Sequence, residues 1–315
     1  MLSRFCFALI LCLTFNVAWA TNSANHFNPD LAGFSVSVKG LTIGYREFAV
    51  FAMPGEAVAI AATDAQDHLH VSSPAGVWKS TGAGRWNWIA PKKPGHYELD
   101  IAGPDGANML LEAFVMVSAG NVRNGKLNGY RIGHYPQHSL KGLAVYKPPE
   151  GFVEVTPALA KVHVSPHFTL GDFLCKEAGG FPKYLVLRRR LLVKLETLLG
   201  FLSHLGIPPT AVHIMSGFRT PWYNAQLGNV LYSRHTWGGA ADLYISKTLD
   251  GRLISDVNHD GRDDFGDSRL LAADFDKLFR ESRYDYLRGG IGSYPATSRH
   301  YPFVHVDVRG FRARW

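Results

Sequence analysis

Cysteine is nearly absent from this chain of 315 residues: there are three, Cys6, Cys12 and Cys175. Two of them fall in the first twenty residues, so a chain that loses this segment keeps Cys175 alone and can form no internal disulfide. Cys175 itself reads as a small buried hydrophobe. Long apolar runs are also missing. The longest, Phe5 to Phe15, is broken only by Thr14 and is too short to span a bilayer. There is no repeat of fixed period and no block of like charge, which excludes a solenoid and a charged disordered tail. Acids are in deficit, 26 against 33 lysines and arginines, for a net charge of +7. Basic residues do not alternate with aromatics in the way that stacks single strands, so nucleic acid is not the expected partner.

What is present begins with an address. Arg4, the apolar run and Ala18-Trp19-Ala20 form the charged, apolar and small-x-small regions of a secretory signal over residues 1–20. Export to the periplasm or cell envelope is therefore expected, with no stable membrane insertion after cleavage. The remaining 32 cations against 26 acids suit an anionic wall polymer.

Residues 21–120 read as β. Phe34–Lys39, Ala57–Ala62, His96–Ile101 and Leu111–Val117 are short apolar or alternating runs. Pro54-Gly55, Pro74-Ala-Gly76, Pro94-Gly95 and Pro104-Asp-Gly106 punctuate them. This spacing predicts a small antiparallel, immunoglobulin-like sandwich with Trp86, Trp88 and Tyr97 in its core. Residues 121–164 form a connector rich in Gly, Pro and Tyr, stiffened at Pro148-Pro149. Its aromatics imply that it packs on a neighbour. From residue 165 to 315 the pattern is α+β. Leucines at helical spacing predict a helix over 185–205, stopped by Gly206 and Pro208. Strands are expected at Val212–Met215, Leu243–Ile245 and Phe303–Val308, and a second amphipathic helix at Leu270–Phe279.

The chemistry gathers around Ser233-Arg-His235-Thr-Trp-Gly238-Gly239-Ala240-Ala241-Asp242, an S-x-H-x-x-G-x-A-x-D pattern, and Phe303-Val-His305-Val-Asp307. Two imidazoles and one carboxylate hold a zinc ion and leave a fourth position open, which hydrolysis requires. His235 and Asp242 are too far apart for one helical turn. A loop running into a strand can join them, and the small residues between keep that backbone compact.

These elements, with Ser216-Gly-Phe-Arg219-Thr-Pro-Trp-Tyr-Asn224, resemble the zinc D-alanyl-D-alanine carboxypeptidase and murein endopeptidase family, related to VanX-type dipeptidases and hedgehog domains. The resemblance covers residues 165–315, about half the chain. It implies an α+β zinc peptidase domain with His235, Asp242 and His305 as ligands. It also implies that Arg219, a fork-shaped cation, binds the substrate's carboxylate. D-configured peptidoglycan peptides follow from the resemblance alone. Several relatives carry Glu, Asp or His two or three residues before the last ligand. Here Phe303 and Pro302 stand there, and neither takes a proton. Asp307, on the same strand face as His305, and His300, on the preceding loop, are the two candidates for the base. Asp307 has a second reading, as the partner that orients a ligand imidazole.

A second metal pattern lies at 256–267. Asp256, Asn258, Asp260, Asp264 and Asp267 place oxygens at positions 1, 3, 5, 9 and 12 of an EF-hand-like loop. Gly261 is at position 6, and Arg262 offers its carbonyl at position 7. Position 12 is Asp where Glu is usual. Structural calcium is expected there. The sequence thus points to an exported zinc metallopeptidase of peptidoglycan. A non-catalytic zinc- and calcium-bearing wall-binding module is the alternative, and calcium-dependent adhesion through the sandwich a third reading.

Overall fold

A computed structural model describes residues 27–64, 68–249 and 251–315, and of Arg252 the backbone only. The signal expected at 1–20 lies outside the described residues.

Among the described residues, nine strands occupy the first part of the chain: β1 (Leu31–Val38), β2 (Leu41–Tyr45), β3 (Glu47–Ala52), β4 (Ala57–Ala62), β5 (His70–Ser72), β6 (Val77–Gly82), β7 (Arg85–Ile89), β8 (Gly95–Ala102) and β9 (Asn108–Val115). They form a five-stranded sheet in the order β2-β1-β4-β7-β6 and a four-stranded sheet in the order β3-β9-β8-β5. Alternating residues of both, such as Val36, Ile60, Leu99 and Ile101, are buried in one cluster. Trp88 is wholly buried and donates Nε1–H to the Ala75 carbonyl at 3.0 Å, while Trp86 and Tyr97 pack at the cluster's margin. One pairing departs from the all-antiparallel expectation: β3 and β9 run parallel, in register from Glu47 with Leu110 to Ala52 with Val115. Alternation in sequence reports which face a residue takes, and carries no information on strand direction.

The stretch after β9 is threaded into its neighbours. β10 (Val117–Ser118) and β12 (Lys183–Leu185) flank β11 (Gly151–Val155) in a three-stranded sheet. Tyr135 and Tyr146 set their rings edge-on to Trp237, at 5.5 and 5.3 Å between centroids.

The last part is built on a five-stranded sheet in the order β13-β14-β16-β15-β17. Its strands are β13 (Val212–Ser216), β14 (Ala240–Ile245), β15 (Gly290–Tyr294), β16 (Phe303–Asp307) and β17 (Ala313–Arg314). The two-residue period sorts its faces. Leu243, Ile291, Val304 and Val306 enter the core with leucines of helix α1 (Arg189–His204), while Asp242, Tyr244, Phe303 and His305 take the other face. Helix α1 begins four residues later than its leucine pattern, because Lys183–Leu185 is spent on β12. Helix α2 (Pro221–Gln226) is capped by the Thr220 hydroxyl. Helix α3 (Phe265–Leu278) starts inside the acidic loop, five residues before the apolar pattern, where Asp264 and Asp267 form a reciprocal capping box. It lies against β15 and β16, and Phe275 meets Phe201 of α1 edge-on at 6.1 Å.

Candidate metal centre

Asp242 and His305 are direct cross-strand partners on β14 and β16, so the sheet itself sets one pair of candidate ligands side by side. His235 arrives on a single 3-10 turn, Arg234–Trp237, which ends at Gly238 with φ +62°. The glycine of the H-x-x-G pattern is a matter of space as well as φ. A Cβ there would lie 2.0 Å from the Val186 carbonyl oxygen, and the Gly238 carbonyl accepts from Arg188 N–H at 2.8 Å. This docks the turn against the residues that lead into α1 and returns His235 to the sheet edge. Trp237, fully buried behind it, donates Nε1–H to the Lys147 carbonyl at 3.0 Å, and Tyr135 Oη donates to the Thr236 carbonyl at 2.7 Å.

Three side-chain atoms converge: His235 Nε2, Asp242 Oδ1 and His305 Nδ1. Their separations are 3.2 Å (His235 to Asp242), 3.2 Å (His235 to His305) and 2.8 Å (His305 to Asp242). Among the described residues this is the one group of three His, Cys, Asp or Glu side chains able to share an ion. All three are buried. The circle through the atoms has a radius of about 1.8 Å, just under a zinc–ligand bond of ~2.0–2.2 Å, so one ion can touch all three.

The outer atoms of each ligand settle which lone pairs face inward. His235 donates Nδ1–H to the Gly217 carbonyl at 2.6 Å, leaving Nε2 bare. His305 has its Nε2 3.3 Å from Asp307 Oδ2, which takes the Nε2–H tautomer and leaves Nδ1 bare. Asp242 Oδ2 accepts from Arg219 Nη2, so Oδ1 is turned inward. Three acceptors facing one another without a proton among them are what a cation satisfies. In the absence of an ion the electrostatics are divided, His235 drawn toward the neutral imidazole and His305 toward the protonated one. Burial pushes the His235 imidazole below its ordinary range. For Asp242 burial alone would raise the pKa, but the His235 and His305 imidazoles outweigh it and hold the carboxyl well below the usual carboxylate range. For His305 burial alone would lower it, and hydrogen bonds to Asp242 and Asp307 instead raise it.

The S-G-F-R element supplies the orienting groups. Gly217 gives the carbonyl that holds His235, and a Cβ on it would strike the Phe173 backbone at 2.6 Å. Ser216 Oγ accepts from Arg219 Nε at 2.8 Å. Two of the three nitrogens of Arg219 are thus committed inside the protein. Asn224 donates from Nδ2 to the Val230 carbonyl at 3.0 Å, shaping the loop that leads to Ser233.

Asp307 and His300 are placed very differently. Asp307 is fully buried on the far side of the His305 ring from the convergent atoms. Its Oδ1 accepts from Gly290 N–H at 2.8 Å and Arg309 N–H at 2.9 Å, and its Oδ2 accepts from Arg309 Nε at 2.8 Å and Nη2. Burial alone would raise it, but His305 and Arg309 hold it well below the carboxylate range. His300 is half-buried and lines the same cavity as the three convergent side chains, a space of about 770 Å³. Its ring stands edge-on to Phe303 at 5.1 Å, and its Nδ1 lies 3.0 Å from the Tyr301 carbonyl.

Arg309, Tyr294 and Trp315 also line this cavity and were missed in the sequence. Arg309 was within reach: H-x-D-x-R on an extended strand places all three side chains on one face. Trp315 was not. Its indole lies over Gly290 and Gly292 of β15, where added Cβ atoms would meet it at 2.9 and 2.4 Å, and 5.2 Å from the His305 ring.

The 256–267 loop turns its oxygens onto its own backbone. Asp256 accepts from Asp260 N–H at 3.0 Å and from Gly261 N–H at 2.8 Å, and Asn258 Oδ1 accepts from Asp260 N–H at 3.0 Å. Asp260 Oδ1 accepts from Arg262 N–H at 2.9 Å. Asp264 accepts from Gly266 N–H at 2.6 Å. Asp267 is buried and spans the loop, accepting from Val257, Asn258 and Asp264 N–H groups at 2.7, 3.1 and 2.9 Å. Gly261 has φ +85°, the sharp turn that position 6 demands.

No family model matches this chain, and no curated protein matches it.

Proposed function

We propose that this chain is an exported zinc metallopeptidase acting on peptidoglycan stem peptides or cross-links. The observation that carries the reading is the convergence of three bare lone pairs, two imidazole and one carboxylate, on the wall of an open cavity. His235, Asp242 and His305 hold the ion, and their outer atoms are each anchored by Gly217, Arg219 or Asp307. When bound, zinc supplies a Lewis acid for the scissile carbonyl and lowers the pKa of a water molecule.

Hydrolysis puts the oxygen of water on the acyl carbon, breaks the C–N bond and delivers a proton to the departing amine. In this reading His300, which lines the same cavity, carries that proton. Asp307 fixes the tautomer and tilt of His305, its two oxygens being already taken by five donors. Arg219 anchors Asp242 through Nη2 and, as a cation on the cavity wall, binds the substrate's carboxylate. Export rests on the segment at 1–20, and among the described residues no helix is long and apolar enough to cross a membrane. Calcium at 256–267 has a structural role, steadying the start of α3 behind the strand that bears His305.

The test is digestion of purified peptidoglycan by the zinc-loaded protein with and without chelator, read by mass spectrometry. New peptide ends that vanish with chelator are the expected result. The second reading, a metal-bearing wall-binding module, is favoured by Phe303 and Pro302 at the positions where relatives carry a base. Binding to peptidoglycan with no new ends in the zinc-loaded protein establishes it instead.

A further inference from the structure

Behind the sheet that carries the candidate ligands lies a second space, about 840 Å³ against about 770 Å³ for the cavity beside them. Val193, Glu196, Gly200 and His204 line it at helical spacing, so it opens on one face of α1, while the leucines of α1 pack on the sheet face opposite to Asp242 and His305. β1 and β2 of the sandwich close it from the other side, with α3 and the 3-10 turn Ser282–Leu287 at its rim. It is a seam between the two halves of the chain, a common place for ligand sites. The rings along it are held by neighbours. Tyr45 stacks on Phe48 at 5.6 Å, Tyr284 stands edge-on to Phe279 at 5.6 Å, and Phe27 stacks on His167 at 5.2 Å. Phe27 also lies against Gly200, where a Cβ would come within 3.1 Å of its ring; glycine is a poor residue for a helix interior, and here it makes the room. Tyr286, 43% exposed, completes the set.

Three observations choose the ligand. First, the fixed charges cancel. Glu196 commits both oxygens to His167, whose N–H lies at 3.0 Å and Nδ1 at 2.7 Å, Glu281 pairs with Arg283 at 2.8 Å, and Asp274 and Lys277 are one of each sign. A charged ligand finds no counter-charge there. Second, burial raises the pKa of the Tyr45 and Tyr286 phenols, and no hydrogen bond among the described residues holds either hydroxyl. They are donors in want of an acceptor, which a lipid chain would leave unpaired. Third, aromatic faces and phenol hydroxyls share one cleft. A sugar ring matches both, with an apolar C–H face to lie on a ring and hydroxyl and acetamide oxygens to accept from phenols. We propose that the seam binds the uncharged glycan strand of the wall polymer, so that the protein holds sugar on one side of the sheet and peptide on the other. The inference rests on the reading above for the polymer's identity, and not for the chemistry at the metal.

The probe is a peptide-free tetramer of β-1,4-linked N-acetylglucosamine, titrated by calorimetry into the full chain with zinc loaded and with zinc withheld. Saturable binding, equal in the two, is expected. Tyr286→Ala, a change at an exposed position, is expected to weaken it about tenfold, the loss typical of one well-placed aromatic contact. Tyr286→Phe keeps the ring and removes the donor, and is expected to weaken it severalfold. No binding, or binding that Tyr286→Ala leaves equal, overturns the seam as a sugar site. Binding that requires zinc overturns it too, by placing the sugar in the other cavity. A neutral stem peptide that displaces the tetramer also overturns it, since β2 is an edge strand and the seam is then a peptide site. Digestion of peptidoglycan keeps the two readings apart. New peptide ends without tetramer binding remove the seam and leave the peptidase reading standing, and tetramer binding without new ends does the reverse.

Discussion

At the scale of single residues, the convergent site depends on groups that are not ligands. Asp307 illustrates this. It never reaches the convergent atoms, yet it sets which nitrogen of His305 is bare. Asp307→Asn keeps the shape and removes the charge that favours the Nε2–H tautomer. Its zinc affinity is expected to fall about 10- to 100-fold, the usual loss when a ligand's orienting partner is changed. A competition titration with a chromophoric chelator measures this, and an unchanged affinity assigns Asp307 a different role. Gly238 is the second case. It has φ +62° and no room for a methyl group against the Val186 carbonyl. Gly238→Ala is expected to cost ~3 kcal/mol or more, by the combined strain of a left-handed backbone and a backbone clash. Urea unfolding of the metal-free protein reads that cost directly, apart from any effect on metal.

Individual elements carry two further predictions. Beside the parallel β3–β9 pair, the Glu47 carboxyl lies close to that of Glu112. Burial first, and that carboxyl pairing second, push the Glu47 pKa up to about 7. A folded-state pKa above the unfolded one means that stability is fullest below about pH 4.5 and is lost as pH rises through about 7. Glu47→Gln removes this titration, so the variant is expected to gain on the parent between those values and to hold its gain above them. Melting temperatures of both proteins across that range give the answer, and parallel curves contradict the assignment. The acidic loop is the other element. It caps α3 through Asp264 and Asp267 and makes the position-1 to position-6 contact of Asp256 with Gly261. Calcium is expected to raise the melting temperature of the parent and to leave that of Asp256→Ala unchanged. An equal rise in both proteins removes the loop as the binding site.

For the molecule as a whole, the proposed metal site couples binding to folding, because its three candidate ligands come from a 3-10 turn and two strands that meet only in the native chain. Zinc at a hundredfold excess over its Kd is expected to stabilise the fold by ~2.7 kcal/mol. Differential scanning calorimetry with and without chelator tests this. The variant His305→Ala, which lacks one ligand, is expected to show little of the gain.

The chain's linear order made some of this legible. The candidate donors and their spacing could be read because S-x-H-x-x-G-x-A-x-D is local: the turn, its glycine and the strand that follows all lie within ten residues. The alternation of Phe303-Val-His-Val-Asp307 likewise declared which residues share a face. Strand direction in β3–β9, the early start of α3 and the different surroundings of Asp307 and His300 were not legible, since each depends on residues far away in the chain. Arg309 answers Asp307, Gly217 answers His235, and Gly290 and Gly292 make the bed for Trp315. Sequence by itself determined the donor chemistry, because lone pairs and charges belong to residue types. Tertiary structure alone decided which of those lone pairs stay bare, because a proton goes wherever the nearest partner draws it, and the partners come from distant strands.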